Sequence, residues 1–242
     1  MSAITAVLQP LLPALSDEII DAIRAEVEPY RRPLTGTFGR NVRMGVEFAL
    51  TRFLAGESEG RARVAYVELG RGEFQEGRSL DALLAAYRVG ARIAWRRAYE
   101  AGEAAGIDPR ELYELGEAMF AYIDRISAES ADGWAQAQSE AAGERQRRRR
   151  RLVALLADPS ADPTHVASDA EAAGWPLPAS VAAVAVSGED AGRIASALGT
   201  DVIAALVDGV VLAFAPDPDG PGRRRQVARA LRGEVAAIGP AC

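Results

Sequence analysis

Apolar residues recur at three- and four-residue intervals over most of the first 157 positions, and the pattern turns strand-like only beyond position 180. Ile19, Ile20, Ile23 and Val27 form the first stripe, the spacing of a helix with one buried face. Ser16 is placed to cap it, and Asp17 and Glu18 suit the positive end of a helix dipole. Pro29 and Pro33 end it. Further helices are predicted over 42–54 and 61–69. Ser79 then caps a longer one, in which Leu80, Leu83, Leu84, Tyr87, Gly90, Ala91, Ala94 and Trp95 share a broad face. Gly90 and the alanines would let another helix approach closely. Asp108-Pro109-Arg110-Glu111 is a strong start signal, with Asp as cap, Pro in the first turn and Glu three residues on to complete a capping box. From there Leu112, Leu115, Met119, Tyr122, Ile123, Ile126, Gly133 and Ala137 keep a near-heptad stripe, and nothing breaks the helix before Leu156. So long a helix reads either as an interdomain rod or dimer interface, or as a long bundle helix; the pattern leaves both open.

Asp158-Pro-Ser-Ala-Asp-Pro163 interrupts the helical pattern, a short helix from Asp162 ends at Gly174, and Trp175-Pro-Leu-Pro178 is a stiff link. Val181–Val186, Val202–Val207, Val210–Ala215 and Val235–Ile238 then read as strands, with helices over 190–198 and 223–233. Asp208-Gly209 lies between two of the strands, and both positions of such a turn need φ > 0. The order β-α-β-β-α-β predicts a ferredoxin-like or nucleotide-cyclase-palm sheet. Its strands are almost continuously apolar, so more chain is expected to cover the sheet. An open final edge at Gly239-Pro-Ala-Cys242 would be a liability, so the domain is read as incomplete or as covered by a partner. The expected fold class is therefore α+β: an all-α helical bundle over 1–157, a linker with a short helix over 158–178, and a small ferredoxin-like domain over 179–242.

Composition narrows the class. The chain has 242 residues, 49% hydrophobic and 26% charged, with one cysteine, Cys242. No internal disulfide can form. No apolar run reads as long enough to span a bilayer, and Met1–Leu15 lacks a basic start and contains Pro10 and Pro13, so neither a membrane anchor nor a secretory signal is expected. A cytoplasmic location follows as an expectation. Every basic residue is Arg, which together with the abundant Ala and Gly reflects a GC-rich bacterial genome rather than a function. The net charge of −6 makes a poor non-specific nucleic-acid binder, because phosphate contacts supply most of that affinity.

Candidate chemistry is sparse. Gly72-Glu-Phe-Gln-Glu-Gly77-Arg78-Ser79 has P-loop spacing with Arg for Lys, but Glu73 and Glu76 would repel phosphate and a helix precedes it, so a helix–helix turn is preferred. Glu144-Arg-Gln-Arg-Arg-Arg-Arg-Arg151 reads as a solvated basic helix face rather than a nucleic-acid contact. His165 is the only histidine and reads as a surface residue, so His-based zinc sites, catalytic triads and a His-ligated haem in the helical region are excluded. Asp217 and Asp219 read as a solvated turn. Tyr87, Arg88, Arg92 and Trp95 are the candidate effector-binding residues, since arginine beside aromatics can hold an anionic or planar molecule. The competing reading is a core aromatic face with arginine stems packed over it. No catalytic residue, metal ligand or cofactor is expected.

Gly77-Arg-Ser-Leu-Asp-Ala-Leu-Leu with Ala86-Tyr-Arg-Val-Gly-Ala-Arg92 resembles the helical sensor region of PucR-type bacterial transcription regulators, the purine-catabolism and sugar-diacid regulators. That region is similar to the sensor domains of RsbR-like stress-signalling proteins. Ala173-Gly-Trp-Pro-Leu-Pro178, the strand run and Gly233–Pro240 resemble the family's GGDEF-like middle domain. The hairpin Leu206-Val-Asp-Gly-Val210 lacks the paired acids of an active diguanylate cyclase, so cyclase activity is not expected. The resemblance also implies a helix-turn-helix domain, for which no segment remains after Cys242. It thus implies the sensory and dimerisation part of a regulator: a homodimer or higher oligomer, with a small-molecule effector and DNA contact only through a domain outside this chain. The alternative is a stressosome-type interaction scaffold.

Overall fold

The computed structural model describes residues 3–31, 36–56 and 59–241. Pro33, the second expected helix stop, and Cys242 lie outside these. By packing, the chain comprises two units, Met1–Ser139 and Glu140–Cys242.

The first unit is helical. It contains α1 (Ala3–Leu8), α2 (Leu12–Glu26), α3 (Gly36–Ala55), α4 (Glu59–Gln75), α5 (Leu80–Ala104) and the first part of α6 (Pro109–Ala157), with 3-10 turns at Gln9–Leu11 and Glu28–Tyr30. Helix α2 starts four residues before the expected cap, because Pro13 occupies its first turn, where a missing N–H costs nothing. Ser16 therefore sits inside the helix and is buried. Ser79 caps α5 as expected, its side chain accepting from the Ala82 amide at 3.2 Å. At the start of α6, Asp108 accepts from the Arg110 amide at 2.8 Å.

The core of this unit sets Leu15, Ile19 and Ile23 of α2 against Ala82, Ala86, Val89 and Ile93 of α5, with Met119 of α6 closing the cluster. Each buried isoleucine contributes roughly 1.5–3 kcal/mol. The stretch Ala3–Glu26 is long and apolar enough to cross a membrane by length and composition, which corrects the sequence expectation of no such run. Its apolar side chains pack on α5, and a core helix reaches the same hydropathy for that reason.

Helices α4 and α6 meet backbone to backbone. A Cβ at Gly70 would lie 1.9 Å from the Ser130 carbonyl oxygen, and one at Gly133 would lie 1.9 Å from that of Val67. Only glycine allows this approach at both places. Gly90, the expected close-approach position, faces α2, where an added Cβ would lie 3.4 Å from a side-chain methyl of Ile19.

The second unit holds the end of α6, α7 (Pro163–Ala172), β1 (Val181–Ser187), α8 (Ala191–Leu198), β2 (Ile203–Val207), β3 (Val210–Pro216), α9 (Arg223–Ala230) and β4 (Ala236–Ala241). The sheet order is β2-β3-β1-β4, antiparallel throughout, which is the ferredoxin-like arrangement. Asp208 and Gly209 take φ of 49° and 80° in the β2–β3 turn, as the Asp-Gly pair predicts. The fold class is thus α+β.

The continuous apolarity of the strands has a structural cause within the described residues. Val184, Val186, Ala204, Val211 and Ala213 face α8 and α9 through Ile194, Leu198 and Val227. The alternate positions Ile203, Ala205 and Phe214 are covered by Leu152 and Val153 of α6, Ala170 of α7 and Trp175. Leu152 and Val153 are fully buried, and the Trp175 indole donates to the Asp201 carbonyl at 2.7 Å. Residues 152–175 are therefore the cover that the sequence pattern required.

Candidate functional site

The helical unit encloses a cavity of about 990 Å³, partly open to solvent, whose lining comes from α2–α6. Its walls are mainly apolar: Ile19, Ile23, Phe38, Val42, Phe48, Phe53, Leu83, Ala86, Met119 and Ile126 contribute. The aromatic side chains arise from sequence-distant helices and pack edge to face, as in Phe48 on Tyr66 and Tyr66 on Tyr122.

Glu73, near the end of α4, is buried in this wall. It accepts from the Tyr30 hydroxyl at 2.8 Å and from two nitrogens of Arg78 at 2.5 and 3.0 Å. The Arg78 guanidinium also lies 4.5 Å from the Phe38 ring centroid. The turn Gln75–Ser79 brings the two residues together, and its Gly77 takes φ of 74°. A bidentate arginine–carboxylate pair of this kind neutralises both charges in place. The segment that mimics P-loop spacing is thus a helix–helix turn whose acid and base bind each other.

Three more tyrosines add polar points to the apolar walls. The Tyr122 hydroxyl donates to the Ala49 carbonyl at 2.8 Å and hydrogen-bonds the Tyr66 hydroxyl. The Tyr87 hydroxyl pairs with Ser130 Oγ at 2.8 Å. Burial pushes the phenols of Tyr30, Tyr66, Tyr87 and Tyr122 above their ordinary pKa, and at Tyr30 the Glu73 carboxylate adds to the effect. All four stay neutral at physiological pH.

A volume near 990 Å³ lies at the top of the range for small-molecule pockets, roughly 300–1,000 Å³. The cavity is of a size to take a small organic molecule, and it opens to solvent.

The four residues singled out from sequence do not form one site. Tyr87 lines the cavity, whereas Arg88 and Arg92 are exposed on α5 and Arg92 is ion-paired with Glu26 of α2. Trp95 packs on Gly116 of α6, where a Cβ would come within 3.0 Å of its ring. Arg97 likewise binds Glu18 through two nitrogens at 2.7 and 3.2 Å. Arg92 and Arg97 thus fasten α5 to α2. Sequence reasoning missed Tyr30, Phe38, Glu73 and Arg78, which converge only through tertiary packing. Elsewhere, Arg147 and Arg148 pair with Glu144, Arg151 pairs with Asp169, His165 is exposed, and Asp219 pairs with Arg224. Among the described residues no group of three or more His, Cys, Asp or Glu is arranged to hold a metal.

A helical domain with a ligand-sized interior, followed along the chain by a small ferredoxin-like unit, is the class of protein that this fold defines. The family model for the PucR-like N-terminal domain matches residues 2–157, and the chain belongs to that family. The family is regulatory rather than enzymatic. No curated protein and no solved structure matches the chain.

Proposed function

We propose that this chain is the sensory and dimerisation portion of a cytoplasmic PucR-type transcriptional regulator. The family match over 2–157 carries the reading, and the interior cavity of the helical unit supports it. An effector or partner shifts the helical unit, α6 carries the change, and the ferredoxin-like unit, taken as a degenerate GGDEF-like domain, positions a DNA-binding domain outside this chain. Such coupling requires two states that bind the effector with different affinity. The paired acids of a cyclase are missing at the β2–β3 turn, which supports a non-enzymatic role.

Self-association is supported by α6. Tyr113 and Phe120 stand seven residues apart and are 68% and 73% exposed, an aromatic pair at heptad spacing. The same pair favours the second reading, a stressosome-type scaffold. The two separate in the native cell. Deleting the gene changes a defined set of transcripts if the chain belongs to a transcription regulator. If it is a scaffold, a large native assembly is lost while no transcript set responds directly. Unchanged transcription on deletion would overturn the regulator reading.

A further inference from the structure

We propose that the cavity of the helical unit is a binding site for an uncharged, predominantly apolar small molecule. The inference rests on the sensor reading and names the chemistry of its ligand. Shape and size come first: about 990 Å³ of mainly apolar wall fits a small organic molecule rather than an ion.

Charge then selects the class. An anionic ligand needs an available cation, yet of the two lining arginines Arg78 is held bidentate by Glu73 and stacked on Phe38, and Arg52 lies over the Phe48 ring. The rim acids Glu47, Glu68 and Glu76 lie 3.7, 3.8 and 3.9 Å from Arg43, Arg71 and Arg78, so the rim favours neither sign of charge. A cationic ligand would seek carboxylate or aromatic faces inside. Glu73 is already paired, and guanidinium groups already lie over Phe38, Phe48 and Tyr122, at 4.5, 5.0 and 5.3 Å. Burying either sign of charge there would cost more than it regains. Apart from the rim acids, the remaining polar lining is neutral: the phenols of Tyr30, Tyr66, Tyr87 and Tyr122, already hydrogen-bonded within the protein, with Asn41, Thr51 and Gln75.

Two glycines make the assignment testable without removing any wall contact. Gly45 of α3 and Gly72 of α4 line the cavity, and a Cβ at either meets nothing within 4 Å. A leucine there occupies cavity space, and exchanging glycine within a helix favours the helix.

The experiment measures binding of 1-octanol, octanoate and octylammonium to the 242-residue chain by calorimetry and thermal shift, alongside Gly45→Leu and Gly72→Leu. Circular dichroism checks that both variants fold. The expected result is saturable binding of 1-octanol, weakened at least about tenfold in each folded variant, with no saturable binding of either ion. No binding of 1-octanol overturns the site. Tighter binding of octanoate or octylammonium overturns the uncharged class. Equal binding of 1-octanol by the wild type and both variants places the site elsewhere and also overturns it. These outcomes are independent of the transcript response to gene deletion, so the site and the sensor reading fail separately.

Discussion

Gly133→Ala tests the packing of the helical unit at its tightest point. The added Cβ would sit 1.9 Å from the Val67 carbonyl oxygen and 2.7 Å from its carbon. Ordinary contact begins near 3.4 Å, so α4 and α6 would have to part by about 1.5 Å. The obstacle is backbone, which cannot rotate aside as a side chain does. Overpacking of this kind costs about 1–3 kcal/mol, and here the upper end applies. Alanine returns about 1 kcal/mol of helix propensity. The net loss is about 2 kcal/mol, a roughly 30-fold increase in the open population. Because the chain holds two packing units, a single global unfolding curve does not isolate the effect. Hydrogen exchange does. Amides of α4 and of α6 before Ser139 should exchange about 30-fold faster, while the sheet amides of the second unit keep their rates. Gly72→Ala, whose Cβ meets nothing within 4 Å, is the control and should be neutral or slightly stabilising. Unchanged or slower exchange in Gly133→Ala would refute the close α4–α6 approach.

Further predictions follow from the same packing. Leu152→Ala, at a fully buried position under the sheet, should cost about 2–5 kcal/mol and speed hydrogen exchange of the sheet amides of the second unit. Arg78→Met should leave the buried Glu73 carboxylate without its cation and cost about 3–5 kcal/mol, read as faster hydrogen exchange in the helical unit, a larger loss than in the Glu73→Gln/Arg78→Met double variant. Raising the pH should destabilise the helical unit. Burial raises the phenol pKa values of Tyr30, Tyr66, Tyr87 and Tyr122 above 10.0, so their contribution is intact below pH 10 and is lost as pH climbs toward the folded values. Tyrosinate absorbance and helical circular dichroism should therefore change together in alkali. Titration of these four tyrosines without loss of helix would contradict their burial.

Much of this fold is legible locally. Asp208-Gly209, Asp162-Pro163 and Asp108-Pro109 each mark a boundary through backbone chemistry confined to a few residues, and the structure places a turn or helix start at each. The cover of the sheet could be anticipated from the apolar strands, but not which residues supply it, because Leu152 and Val153 continue a helix without any change of period. Ser16 misled as a cap because Pro13 offered an earlier start. The site was the least legible part. Tyr30 and Glu73 are 43 residues apart, and Gly70 meets Ser130 across 60. No spacing rule links such positions. Arginines beside Tyr87 on one helix suggested a pocket, yet that helix turns Tyr87 inward and Arg92 outward to Glu26.

The most direct test of the account is whether filling the cavity is felt along α6. Hydrogen exchange of the 242-residue chain, with and without saturating 1-octanol, reads both packing units at once. The account predicts slower exchange in α3, α4 and α5 and a further change at residues 140–157, where α6 enters the core of the second unit. Protection that rises around the cavity and stops before Ser139 would show a bound ligand with no transmission, and would contradict the sensory role.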